Sequence, residues 1–196
     1  MPTAEYKQAY RERQLKEELN LDLSWYIDDA KLCWDVADID VVASSDLDKE
    51  HVLAYIVRHN GFFQDDFRSN HTVVVCDGLD RPREKFLCIK ELMHCYFTAD
   101  SGCLTDNAHV LRRHMTELFG ELSTSQSMQV VAEKQAVWMA ISLICPENRR
   151  RRLKENILLE ESKTYEDVAE MLGVPKIIVE RMMTDEYDDM LSDMLT

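Results

Sequence analysis

The stretch His71–Cys76 carries a threonine followed by three valines, Thr72-Val73-Val74-Val75, and Asp77-Gly78 comes directly after it. Side chains branched at Cβ suit an extended, pleated backbone and lose rotamer freedom in a helix. The segment therefore predicts a strand, and Asp77-Gly78 predicts the turn that ends it. Pro82 stands where a helix can begin, since its fixed φ suits a first turn. A helix over about 82–97 is expected. A strand, a short turn and a long helix must fold back on one another, so this unit constrains any architecture the chain adopts.

The flanking segments read in the same way. Ala4–Leu19 predicts a charged helix. A second helix starts near Asp22 or Ser24, either of which could cap it, and carries Trp25, Ile27, Ala30 and Trp34. Ile39–Ala43 is a short strand. Ser45 or Asp46 caps an expected helix bearing Val52, Leu53, Ile56 and Val57, stopped by Asn60-Gly61. An irregular turn is expected around Asp65–Asn70. Downstream the pattern is helical, with spans at 106–122, 125–145, 164–172 and 175–183, and Pro146 closes the second of these. A small sheet followed mostly by helices is an α+β arrangement.

Composition narrows the function classes. Hydrophobic residues make up 45% and charged residues 31% of 196, an ordinary globular mixture. The net charge of −14 repels phosphate backbones and anionic membrane surfaces, so direct nucleic-acid or membrane binding is not expected. A basic protein partner suits the charge better. The first twenty residues are rich in charge and lack an apolar core, so no signal peptide is read there, and the cytoplasm is the expected location. Six cysteines, Cys33, Cys76, Cys88, Cys95, Cys103 and Cys145, form no C-x-x-C pair and are expected to be reduced core residues.

The chemistry-bearing segment is Lys90-Glu91-Leu92-Met93-His94. It resembles the H-E-x-x-H zincin helix, with Lys90 in place of the first histidine. The pattern has a physical basis. Residues four apart share a helix face, so two imidazoles can hold one metal while the glutamate polarises a bound water. The β-branched strand, the turn and Arg83 before Phe86 precede this helix in the manner of the ImmA/IrrE family of zinc metallopeptidases. A second segment, Glu133–Pro146, is similar to that family's E-x-x-A-N-x-F-A-x-x-L-L-x-P helix. Val137 replaces the usual Asn and Met139 the usual Phe. The resemblance spans roughly Leu21 to Met183 and is specific only over these two segments.

It implies a zincin-like fold. Residues 1–20 form an N-terminal charged helix, 21–158 the zincin-like domain, 159–184 a helix-turn-helix-like pair and 185–196 an acidic tail. It implies Glu91 as a vestigial general base, and His94 and Glu133 as vestigial metal ligands. An active zinc peptidase needs three protein ligands and an open position. Lys90 breaks that set. Neutralising its ammonium near pH 7 would cost about 4–5 kcal/mol, and protonated it puts a positive charge where a dication would sit. It is expected to pair with Glu133, with Glu91 as a second candidate partner. No cofactor is therefore expected. Family similarity implies regulation of a transcription factor or repressor, of the helix-turn-helix type and linked to a phage or mobile element. The broken motif points to binding in place of cutting. The alternative is an active zinc metallopeptidase with an unusual ligand set that cleaves a repressor. His71, His109 and His114 are the histidines that could rescue such a site, and Cys88 or Cys95 could serve a cysteine–histidine hydrolase.

Three further features stand out. Arg149-Arg150-Arg151-Arg152 reads either as an anion-binding or partner-docking patch or as a solvated helix start. Thr164–Met183 has a helix-turn-helix look, with Thr164 and Asp167 spaced as a capping box, Gly173 as the stop and Pro175 as the restart. From Glu160 to Thr196 the net charge is −8, which disfavours DNA reading by that pair. The tail alternates Met190, Leu191, Met194 and Leu195 with acids, and is expected either to fray or to dock on a partner as a short amphipathic helix.

Overall fold

The structure is a computed structural model that describes residues 3–34, 36–47, 52–59, 70–97, 128–160 and 162–196. The helices expected at 106–122 and before 128, with His109 and His114, lie outside the described residues, as do Cys103 and the turn expected at 65–69. The described residues form eight α-helices and a three-stranded sheet, an α+β fold.

Strand β3 (Asn70–Cys76) is the centre of the sheet. It pairs in parallel with β1 (Asp38–Ser44) and antiparallel with β2 (Ala54–His59). Ile39, His71 and Arg58 share one register position, and Val41, Val73 and Ile56 the next on the same face. Alternation along each strand turns Ile39, Ile56, Val73 and Val75 into the core.

Strand β2 corrects the helix expected over Val52–Val57. Tyr55, Ile56 and Val57 suit either element by local preference. The ladder from Ala54 to His59 against β3 decides for the strand, because it satisfies backbone groups that β3 would otherwise leave open.

Helix α3 (Arg81–Leu92) follows the turn. The Asp80 side chain accepts a hydrogen bond from the Arg83 backbone N–H at 3.0 Å, and Pro82 lies in the first turn. The helix ends earlier than expected. At Met93 it tightens into a 3₁₀ turn, Met93–Tyr96, that carries His94.

The central helix is α4 (Met128–Ile144). Trp138, Met139, Ala140, Ile141, Leu143 and Ile144 are all buried, as in a helix surrounded by others. Helix α1 (Ala4–Gln14) is shorter than its predicted span and packs on α4. Tyr6 Oη lies 2.6 Å from Ser142 Oγ. Arg13 is fully buried; its Nε donates to the Leu143 carbonyl at 2.7 Å and Nη2 to the Ile144 carbonyl at 2.8 Å. A cation thus caps the open carbonyls at the negative end of α4. Helix α2 (Leu23–Trp34) packs beside α3.

After Pro146 the chain forms α5 (Glu147–Leu158), α6 (Tyr165–Leu172), α7 (Lys176–Met182) and α8 (Asp185–Leu195). The Thr164–Asp167 capping box is present. Gly173 has φ +64°, and a Cβ there would meet the Asn20 amide at 2.9 Å. Gly173→Ala should lower stability by about 1–2 kcal/mol from the left-handed backbone alone, with the Asn20 clash adding to it. Urea unfolding of both proteins measures the difference.

The tail neither frays nor stands free. It is helix α8, and it buries Tyr187, Leu191 and Met194 against the chain's own core. Among the described residues no helix is long and apolar enough to cross a membrane.

Candidate functional site

The last turn of α3, the 3₁₀ turn after it and the second turn of α4 bring Lys90, Glu91, His94 and Glu133 together. Lys90 Nζ donates to Glu91 Oε1 at 2.8 Å and forms a second ion pair with Glu133 Oε2. His94 Nε2 lies 3.1 Å from Glu133 Oε1 and 3.8 Å from Glu91 Oε2. Glu133 therefore bridges the lysine and the imidazole with its two oxygens. The side chains of Glu91 and His94 are almost fully buried, Lys90 is 13% exposed and Glu133 23%.

The His94 contact to Glu133 is close but poorly aligned. Neither ring nitrogen makes a hydrogen bond, although both are buried. Burying an imidazole without a hydrogen bond has a cost, which its contact with the Glu133 carboxylate offsets in part.

The charges dominate the electrostatics. Burial alone would lower the Lys90 pKa. The Glu91 and Glu133 carboxylates outweigh burial, so the ammonium is held above its ordinary value. Burial likewise pushes Glu133 up, but Lys90 and the nearby His94 ring overcome it and depress its pKa.

The signs fix the pH dependence. The Glu133 contribution is present above its ordinary value of 4.5 and is lost as pH falls through the lower folded value. The Lys90 contribution is present below its ordinary 10.5 and is lost as pH rises through the higher folded value. Stability should thus fall on acidification below 4.5, and Glu133→Gln should flatten that limb. Thermal melts from pH 3 to 7 on both proteins check it; an unchanged slope would remove Glu133 from the account.

The donor set does not fit a zinc ion. The Lys90 ammonium lies between the two carboxylates, and a dication there would face it directly. Among the described residues, no three His, Cys, Asp or Glu side chains are grouped to hold a metal.

The remaining candidates lie elsewhere. His71 is buried on the core face of β3, with both ring nitrogens unbonded, and burial pushes its pKa down to about 4. No hydrogen bond or ion pair joins it to the Lys90 cluster among the described residues. Burial pushes the Cys88 thiol up to about 12, so it holds no thiolate near neutral pH. Cys95 is buried in the 3₁₀ turn.

The four arginines divide. Arg150 is internal. It clasps Glu147 through Nε at 2.7 Å and Nη2 at 2.8 Å, and its Nη1 donates to the Met182 carbonyl at 3.0 Å. It also pairs with Asp188 and stacks 4.3 Å above the Tyr187 ring. Arg151 pairs with the same Glu147 from the surface, and Arg149 and Arg152 reach solvent.

Arg13 is a residue that the sequence reading overlooked. Its signal was present: Tyr6, Ala9, Tyr10 and Arg13 fall on one helical face.

No family model matches the chain, and the comparisons with curated proteins and with solved structures found no match either.

Proposed function

We propose that the chain is a catalytically degenerate protein of the ImmA/IrrE type, with a zincin-like fold, that regulates a transcription factor by binding it. The observation that supports this reading is the Lys90 ammonium between Glu91 and Glu133. On this reading a protein cation takes the place of the catalytic cation. One positive charge thereby offsets part of the charge of the two carboxylates without a metal, and the open coordination position required for water activation is lost. Recognition needs no such position.

The partner is a basic regulatory protein of the helix-turn-helix type, matched to the net charge of −14. Direct DNA reading is not part of the proposal. In the pair α6–α7, Lys176 is engaged by Glu166 at 2.6 Å and by Glu180 at 3.5 Å. Affinity capture from the native host, with the captured protein identified and its binding measured at two salt concentrations, is the test. A basic regulator whose association slows in high salt supports the proposal. Cleavage of that regulator by the purified chain, abolished by Glu91→Gln, would overturn it in favour of an active peptidase.

A further inference from the structure

Helices α5 and α8 flank a groove of about 780 Å3. Leu191 and Leu195 from α8 line it, together with Tyr10. At its α5 end, Leu158 is 51% and Leu159 78% exposed. Two adjacent exposed leucines beside a partly apolar groove form a patch that water contacts unfavourably.

The two walls differ in charge. Besides the internal Arg150, helix α5 carries four bases that reach the surface, Arg149, Arg151, Arg152 and Lys154, against Glu147 and Glu155. Helix α8 carries five acids and no base. Within one chain the walls already attract each other, since Lys154 Nζ is 3.0 Å from Asp185 and 3.6 Å from Asp188. These pairs lie at the surface, where a second copy can reach them: Arg151, paired with Glu147, is 72% exposed and Asp185, paired with Lys154, 98%.

A partner of one charge sign would meet repulsion at one wall. A second copy of the chain would not. A dyad running along the groove lays the basic α5 of one copy over the acidic α8 of the other, and symmetry repeats the contact. We propose that this groove is a homodimer interface, in which Leu158 and Leu159 of each copy enter the groove of the other.

Sedimentation velocity on the full chain over a range of concentrations tests this. A reversible monomer–dimer equilibrium that weakens in high salt is expected. Leu159→Asp and Arg151→Glu alter exposed side chains, so both should keep the wild-type circular dichroism. Each should raise the dimer dissociation constant at least tenfold. A chain that stays monomeric up to about 100 µM, where a micromolar interface would be saturated, overturns the proposal. A dimer unaffected by either substitution also overturns it, because that dimer uses another face.

Discussion

Arg150→Ala is expected to destabilise the protein by about 3–5 kcal/mol, the range for breaking a buried ion pair from one side. The guanidinium is 1% exposed and touches three separate segments. It holds Glu147 at the start of α5, the Met182 carbonyl at the end of α7, and Asp188 and Tyr187 on α8. Removing it leaves the Glu147 carboxylate with Arg151 alone, takes the guanidinium from Asp188, and leaves the end of α7 without its donor. Arg150→Lys should recover only part of the loss, since an ammonium cannot reproduce the two parallel bonds to Glu147. Chemical denaturation of the three proteins gives the values. A loss under 1 kcal/mol for Arg150→Ala would show that the arginine is replaceable by solvent.

Lys90→His should raise zinc affinity by several orders of magnitude. The substitution removes a positive charge from between two carboxylates and supplies a neutral nitrogen donor in its place. With His94 and Glu133 it completes two imidazoles and one carboxylate, the ligand number of a catalytic zinc site. Position 90 is in the last turn of α3 and His94 in the 3₁₀ turn, and both already converge on Glu133. Peptidase activity need not follow, because among the described residues neither His94 nitrogen has a hydrogen-bond partner to orient the ring. Titration calorimetry of the variant against wild type measures the gain. Equal affinities would mean that position 90 does not face the ligand site.

What the sequence disclosed follows from how local each signal is. The β-branched run of β3 and Pro82 at the start of α3 act within a few residues; β3 formed where expected and α3 began where expected, though it gives way to the 3₁₀ turn after Leu92. Thr164, Asp167 and Gly173 did the same for α6. Strand β2 was hidden because Tyr55-Ile56-Val57 has no periodicity of its own; its partner β3 decides. Helix α8 is similar. Its acids suggested fraying, and only packing on the core reveals why Tyr187, Leu191 and Met194 fall on one face.

The site was legible in part. Four-residue spacing placed Lys90 near His94, and the second segment supplied Glu133. The pairing of Lys90 with Glu133 and Glu91 was expected from the resemblance; local signals alone would not give the Glu133 contact, because it depends on how α3 approaches α4. The arginine run looked uniform in sequence. Helical rotation turns Arg150 inward and its neighbours outward.

The measurement that bears most directly on the account is the zinc content of the wild-type chain. The protein is purified, exchanged against trace zinc, dialysed and analysed by elemental mass spectrometry. Lys90 paired with Glu91 and Glu133 should exclude the ion, so the account predicts far less than one zinc per chain. One tightly held zinc per chain would contradict it, for the ammonium would then have to leave the space between the two carboxylates.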